Sequence, residues 1–120
     1  MAMRTFDVDS IATAADRDFA ERLLPGETIE AGFHGERGTI LFTDRRIITV
    51  QLLVVISERI ETSSYSYRAV RSFALNQPVD GNGRSELRIL LDSDDHPLHL
   101  RANPGTDFGP VIALLTRHLQ

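Results

Sequence analysis

The order of apolar and polar residues between Gly38 and Val50 predicts a tight β-hairpin. Two β-branched apolar runs flank Thr43–Arg46, and neither run has a helical period. With a two-residue turn at Asp44-Arg45, the predicted cross-strand pairs are Phe42 with Ile47, Leu41 with Ile48 and Ile40 with Thr49. Since paired residues share a face, the two apolar faces are Ile40, Phe42 and Ile47 on one side and Leu41, Ile48 and Val50 on the other. Because both faces are apolar, we expect the hairpin to be covered on both sides.

Strand-like alternation extends on both sides of this hairpin, from Glu27 to about Arg101. Leu98 and Leu100, for example, alternate with His99 and Arg101. Short clusters of turn-forming residues separate the strands, most clearly at 77–83. The predicted strands are about 28–34, 38–43, 46–54, 57–67, 70–76, 86–92 and 97–102.

A helix is predicted at each end of this strand region. Residues about 10–24 have apolar residues at every fourth position, and Pro25-Gly26 ends that helix. Near the C-terminus, Thr106 or Asp107 can cap a second helix and Pro110 fits its first turn. Its predicted apolar face consists of Phe108, Val111, Ile112, Leu115 and Leu119. The pattern therefore indicates a mostly β (α+β) fold, a small antiparallel barrel or sandwich of about seven strands with a helical lid.

The apolar run Leu52–Ile56 does not fit a single core. Five consecutive apolar residues in a strand point alternately to two faces, so part of this run needs another cover. That cover could be a second subunit, the N-terminal helix or lipid, and we favour a second subunit.

Several short motifs resemble those of bacterial pleckstrin-homology-like (PH-like) domains. Phe42-Thr-Asp-Arg-Arg-Ile47 is similar to the family's Phe-Thr-Asn/Asp-Lys/Arg-Arg-hydrophobic signature. Leu24–Glu27, Tyr65–Val70 and Glu86–Ile89 match further motifs in the same order and spacing, so the resemblance covers the chain from about Leu23 to its C-terminus. It implies a PH-like fold and a tendency to form ring-like homo-oligomers. We expect one domain over residues 1–120, with a core at about 24–119.

Composition narrows the possible functions. A chain of 120 residues supports one core, and its net charge of −4 argues against a general nucleic-acid or anionic-membrane binder. The absence of cysteine excludes disulfides and thiolate chemistry. No signal peptide and no run of roughly 20 apolar residues is present, so we expect a cytoplasmic protein.

The charged residues offer one alternative function. Arg45, Arg46 and Arg68 could form an anion site for anionic lipid or a small phosphorylated ligand, as the resemblance to phosphoinositide-binding relatives implies. Glu36, Asp44, Glu58 and Glu61 lie among the arginines in sequence and could pair with them instead.

No sequence motif points to catalysis, a cofactor or a metal. His34, His96, His99 and His118 lack metal-binding spacing, and the Asp- and Gly-rich loops lack the glutamate of a calcium loop. There is no Gly-x-Ser-x-Gly elbow and no phosphate-binding glycine loop. We therefore expect a non-enzyme with neither cofactor nor metal.

The sequence thus predicts homo-oligomeric assembly, or interaction with another protein, as the function. Nucleic acid is not expected as a partner, and a membrane is disfavoured. The residues predicted to form the subunit contact are Leu41, Ile48, Val50, Leu52, Val54 and Ile56, with Phe19 and Leu23 in support.

Overall fold

Two β-sheets pack face to face in the computed structural model of this protein. The structure describes residues 4–8, 10–11, 23–35, 38–54, 56–92 and 94–119. The strands are β1 (Arg4–Val8), β2 (Ser10–Ile11), β3 (Ile29–His34), β4 (Gly38–Thr43), β5 (Arg46–Val54), β6 (Glu58–Ser66), β7 (Val70–Asn76), β8 (Ser85–Leu91) and β9 (Asp94–Ala102). A 3-10 turn, Tyr67–Ala69, joins β6 to β7, and the helix α1 spans Gly109–Leu119.

The strand order explains how the chain forms a sandwich. One sheet has the order β2-β3-β4-β5-β6 and the other β1-β9-β8-β7. All paired strands are antiparallel except β1, which runs parallel to β9. The predicted barrel or sandwich is therefore a sandwich, and all seven predicted strands are confirmed, with ends that differ by at most three residues.

The main core lies between the two sheets and is closed by α1. Alternation places Leu87, Ile89 and Leu91 of β8 inside, opposite the inward face of the first hairpin. Phe33 packs against Phe108, with ring centroids 5.1 Å apart. The buried residues of α1 are Val111, Leu114 and Leu115, so the predicted apolar face is confirmed except that Leu119 is exposed and Leu114 takes part.

One aromatic contact ties α1 to the sheet connection. The rings of Tyr67 and His118 stack with centroids 4.1 Å apart and an interplanar angle of 8°. The predicted cap is also present, because the Asp107 carboxylate accepts a hydrogen bond from the Gly109 N–H at 2.8 Å.

The hairpin register agrees with the sequence prediction. Phe42 pairs with Ile47, Leu41 with Ile48 and Ile40 with Thr49. Its inward face joins the main core, whereas Leu41, Ile48 and Val50 form a separate second cluster. Leu23 and Ile29 pack against this second cluster. Both faces of the hairpin are therefore covered, as its double apolar pattern predicts.

The N-terminal region differs from the prediction. Instead of starting a helix at about residue 10, Ser10 and Ile11 form β2 and pair with His34 and Phe33. Leu23 and Leu24 are not helical either, and residues 12–22 of the predicted helix, including Phe19, lie outside the described residues. β1 was not predicted at all. Its Phe6 and Val8 are buried in the main core.

Leu41→Ala tests whether the second cluster contributes to stability as a true core does. Leu41 is fully buried, so removing its side chain leaves a cavity and should lower the free energy of unfolding by about 2–5 kcal/mol. The measurement is chemical denaturation followed by circular dichroism. Leu119→Ala is the matched control, because Leu119 is exposed at the end of α1 and its loss should cost about 0.5 kcal/mol or less. Equal costs for the two variants would contradict this assignment.

Candidate functional site

A buried ion pair joins the segments that carry the family resemblance. The Glu27 side chain is fully buried, and its two carboxylate oxygens accept hydrogen bonds from Arg46 Nε at 2.9 Å and Nη2 at 3.0 Å. The same carboxylate accepts from the Leu24 N–H at 2.9 Å and from the Thr43 hydroxyl at 2.7 Å. Four donors fill the roughly four acceptor positions of a carboxylate. Glu27 is therefore fully hydrogen-bonded despite its burial.

Thr43 extends this pair into a wider network. Its hydroxyl accepts hydrogen bonds from the backbone N–H groups of Arg45 and Arg46 at 3.1 and 3.0 Å, which shapes the hairpin turn. Its carbonyl accepts from the Tyr67 hydroxyl at 2.6 Å. Thr43 thus connects the turn before β3, the β4–β5 hairpin turn and the 3-10 turn after β6.

Asp44 makes a second link across the same turn. Its carboxylate accepts from the Thr28 N–H at 2.9 Å, and its own N–H donates to the Thr28 carbonyl at 2.9 Å. The motif's aspartate therefore holds the start of β3 against the hairpin turn.

The ionisation of this network follows from its contacts. Hydrogen bonding to Arg46 is the main influence on the pKa of Glu27, and it lowers that pKa to about 2 even though burial acts in the opposite direction. The same contact raises the pKa of Arg46. Burial is the main cause that raises the pKa of Tyr67. At neutral pH the network therefore holds one carboxylate and one guanidinium, with a neutral phenol beside them.

The three arginines of the alternative anion site have different surroundings. Arg46 is committed to Glu27, so an anion would have to displace a buried, bidentate carboxylate. Arg45 is exposed, with its Nε 3.9 Å from the Asp44 carboxylate, and Arg68 is exposed on the 3-10 turn. The acidic partner of Arg46 is thus Glu27, which comes earlier in the chain than the nearby acids that the sequence suggested.

The residues predicted for subunit contact fall into two groups. Leu41, Ile48 and Val50 are buried in the second cluster, and Leu23 packs against them. Leu52, Val54 and Ile56 are exposed at the far end of the β5–β6 hairpin, with 37%, 59% and 99% of their surface accessible. The surface that a partner could reach is therefore this second group.

Sequence reasoning missed one member of that surface. Ile60 lies directly opposite Leu52 in the β5–β6 ladder and is 65% exposed. Because cross-strand partners share a face, Ile60 belongs to the same face as Leu52 and Val54, which also carries Ile48 and Val50. We call Leu52, Val54, Ile56 and Ile60 the tip patch. Ile60 is difficult to recognise as part of an apolar surface from the sequence, because it lies between Arg59 and Glu61.

A polar network covers part of the outer face of the other sheet. The Asp7 carboxylate accepts from Arg101 Nε and Nη2 at 2.8 and 2.9 Å and from Arg84 Nη1 at 2.8 Å. The hydrogen bond from Arg101 is the main cause that lowers the pKa of Asp7. His99 is buried beside it, 3.2 Å from the Glu86 carboxylate but not aligned for a hydrogen bond. These contacts pair charges along the outer face of the sheet.

Neither a cluster of metal ligands nor a membrane-spanning helix is found among the described residues. Within them, no group of three or more histidine, aspartate or glutamate side chains is placed to hold a metal ion. The side chain of His96 lies outside that part of the chain. None of the described helices is both long and apolar enough to cross a membrane.

Comparison with known proteins gives one family. The family model for the bacterial PH domain matches residues 3–119. The uncharacterized protein YjqA of Bacillus subtilis (strain 168) is 30% identical over 92 residues, which cover 76% of this chain and 74% of YjqA.

Two solved structures share the fold. One is a protein with a pleckstrin-homology domain from Shewanella loihica PV-4, with a TM-score of 0.73 at 17% identity, covering 89% of this chain and 92% of the other. The second is a pleckstrin homology domain from Shewanella amazonensis SB2B, with a TM-score of 0.67 at 19% identity, covering 88% and 96%.

The Glu27 pair makes stability depend on acid pH in a defined window. A carboxyl whose pKa falls from 4.5 to about 2 on folding adds its full stabilisation above pH 4.5 and loses it as the pH falls toward 2. We expect Glu27→Gln to lower the free energy of unfolding at pH 7 by about 3 kcal/mol and to flatten its decline between these pH values. Denaturant titrations across the acid range measure both effects.

Glu30→Gln is the matched control for this experiment. Glu30 is exposed on β3, close in sequence to Glu27, and its replacement should leave the acid dependence almost unchanged. An equally steep acid decline in Glu27→Gln and the unaltered protein would show that the pair does not stabilise the fold.

Proposed function

Because the chain belongs to the bacterial PH domain family, we propose that it is a non-catalytic module that acts by assembling into homo-oligomers. The observation that carries this proposal is the tip patch, four apolar side chains exposed on one projecting hairpin. Single exposed apolar residues are ordinary, but Leu52, Val54 and Ile60 share one face of the ladder, and a group of this kind is typical of an interaction surface.

The position of the tip patch supports an interface more than an incomplete core. Along one face of β5, Ile48 and Val50 are buried, while Leu52 and Val54 are exposed. The apolar pattern therefore continues beyond the point where the described residues bury the strand. A partner surface that covered the remainder would remove Val54 and Ile60 from water. This burial would stabilise the complex by about 25 cal/mol for each Å² of apolar surface buried.

The ionisable groups support a non-catalytic role. Among the described residues, the carboxyl with the most strongly lowered pKa is Glu27, and its four acceptor positions are all occupied. A carboxylate in that state has no free position for a substrate proton. Its environment is explained by the packing of the hairpin turn alone.

A second copy of the chain is the partner that we favour for the tip patch. The net charge of −4 is small for a protein of this size, so long-range repulsion between copies is weak. The ring-like form that the family resemblance implies is compatible with this proposal, as is a smaller assembly. Another protein that covers the same patch is the outcome to consider if the chain does not self-associate.

Val54→Asp tests the proposal directly. A carboxylate at this position would have to be desolvated in any interface formed by the tip patch, so the variant should dissociate to monomers. Light scattering coupled to size exclusion at micromolar concentration measures the mass, and the unaltered protein should be at least a dimer. A monomeric unaltered protein, with the same mass as Val54→Asp, would refute the assembly claim.

Val79→Asp provides the control for charge and for folding. Val79 is fully exposed in the connection between β7 and β8, which belong to the other sheet, and receives the same added charge. It should retain the oligomer mass, and both variants should keep the circular dichroism spectrum of the unaltered protein.

A further inference from the structure

A small concave site lies on the outer face of the four-stranded sheet. Its volume is about 220 Å³, and its lining comes from the neighbouring strands β7, β8 and β9. Because Leu87, Ile89 and Leu91 of β8 point into the main core, the residues between them point outward. The residues that line the site are Ser72, Phe73, Ala74, Arg88, Leu90 and Pro97.

Irregular strand pairing accounts for a concave surface at this place in the sheet. The β7–β8 register shifts between Val70 and Ser72, and the β8–β9 register shifts between Ile89 and Leu91. Irregularities of this kind bend a strand and increase its twist. Pro97 lies within the second one, where its missing N–H removes a donor from the ladder. The surface beside Leu90 is therefore bent on both sides.

One charged group lines this otherwise mainly apolar site. Arg88 is exposed and is the cross-strand partner of Ala74, so the two side chains share the outer face. The Arg88 guanidinium makes no ion pair and no hydrogen bond with the described residues. Glu86, two residues earlier on the same strand, lies 3.2 Å from His99 Nε2. The Arg88 guanidinium is therefore open to an anion from solution.

We propose that this site, which we call the outer-sheet pocket, binds a small monocarboxylate with a short apolar tail. The carboxylate forms a bidentate pair with Arg88, since the planar guanidinium matches its two oxygens. The tail lies against Ala74, Leu90 and Pro97. The Ser72 hydroxyl also lines the pocket and can donate a further hydrogen bond.

The charge and the walls of the pocket favour a carboxylate over a phosphate. One guanidinium compensates one negative charge, whereas a phosphate monoester carries about −1.5 to −2 at pH 7 and needs more donors. The other walls are mainly apolar, and burying an uncompensated charge against them is costly. A monocarboxylate brings a single charge, and its tail removes apolar surface of the pocket from water.

The volume limits the size of the ligand. Sites for drug-sized ligands have volumes of about 300–1,000 Å³. At about 30 Å³ for each molecule of liquid water, the outer-sheet pocket corresponds to about seven waters. A nucleotide is therefore too large to be enclosed, whereas a carboxylic acid of about seven non-hydrogen atoms fits.

Isovalerate is the probe that tests this proposal, and isovaleramide is its neutral control with the same tail. In ¹H–¹⁵N NMR titrations of the intact chain, isovalerate should shift the amide signals of Ser72, Ala74 and Leu90. We expect a dissociation constant on the order of 1 mM, because few atoms make contact. Isovaleramide should bind about tenfold more weakly, since it lacks the charge that strengthens hydrogen bonds to Arg88. Inorganic phosphate, an anion without a tail, should shift these signals less at equal concentration.

Three variants locate the binding site. Arg88→Gln should weaken isovalerate binding about tenfold and leave isovaleramide binding unchanged. Arg68→Gln is the matched control, because Arg68 is also exposed but lies on the 3-10 turn, outside the pocket lining. Ala74→Leu fills the pocket and should abolish binding of both compounds while the charge is retained. Each variant replaces an exposed side chain, so all three should keep the circular dichroism spectrum of the unaltered protein.

Several outcomes would overturn the outer-sheet pocket as a carboxylate site. Equal affinities for isovalerate and isovaleramide would do so, as would an unchanged isovalerate affinity in Arg88→Gln. Tighter binding of phosphate, signal changes confined to other strands, or no signal change at all would have the same meaning. The pocket and the strands of the tip patch belong to different sheets, so none of these outcomes bears on the proposed homo-oligomer.

Discussion

The Glu27–Arg46 ion pair is the contact on which the rest of the fold depends. It connects the turn before β3 with the second strand of the first hairpin, and Thr43 carries the connection on to Tyr67. Removing one partner would leave a buried charge without compensation, which is far more costly than losing a surface pair. The signature residues of the family therefore have a structural role in this chain. Arg46 binds the buried Glu27 carboxylate, whereas Arg45 is exposed.

The β5–β6 hairpin is divided by this arrangement into two halves with different roles. Its first half, the end that contains Arg46, is held by the Glu27–Arg46 ion pair and by two apolar clusters, one on each face. Its second half extends past both clusters and carries the tip patch. Rigid support at one end lets an exposed apolar surface keep a defined shape, which is a requirement for a specific interface.

The sequence alone was sufficient to predict the elements whose determining contacts are local. The hairpin register follows from its turn and from the alternation around Phe42 and Leu41, and the C-terminal helix follows from its cap and its period. The Glu27–Arg46 pair could not be predicted in the same way, since either residue has many possible partners of opposite charge. β1 was missed for a related reason: its alternating pattern is short, and its partner strand is at the other end of the domain. Ile60 acquired meaning only when the ladder placed it opposite Leu52.

The parallel pairing of β1 with β9 has a consequence for the order in which the protein can fold during synthesis. β1 is synthesised before the other strands of the domain, but β9, the strand it pairs with, is synthesised after all of them. Phe6 and Val8 therefore have no strand partner until almost the whole domain has been synthesised. The hairpin of β4 and β5 can form from neighbouring residues long before that time. The strand that is synthesised first within the domain is therefore among the last to take its place in the core.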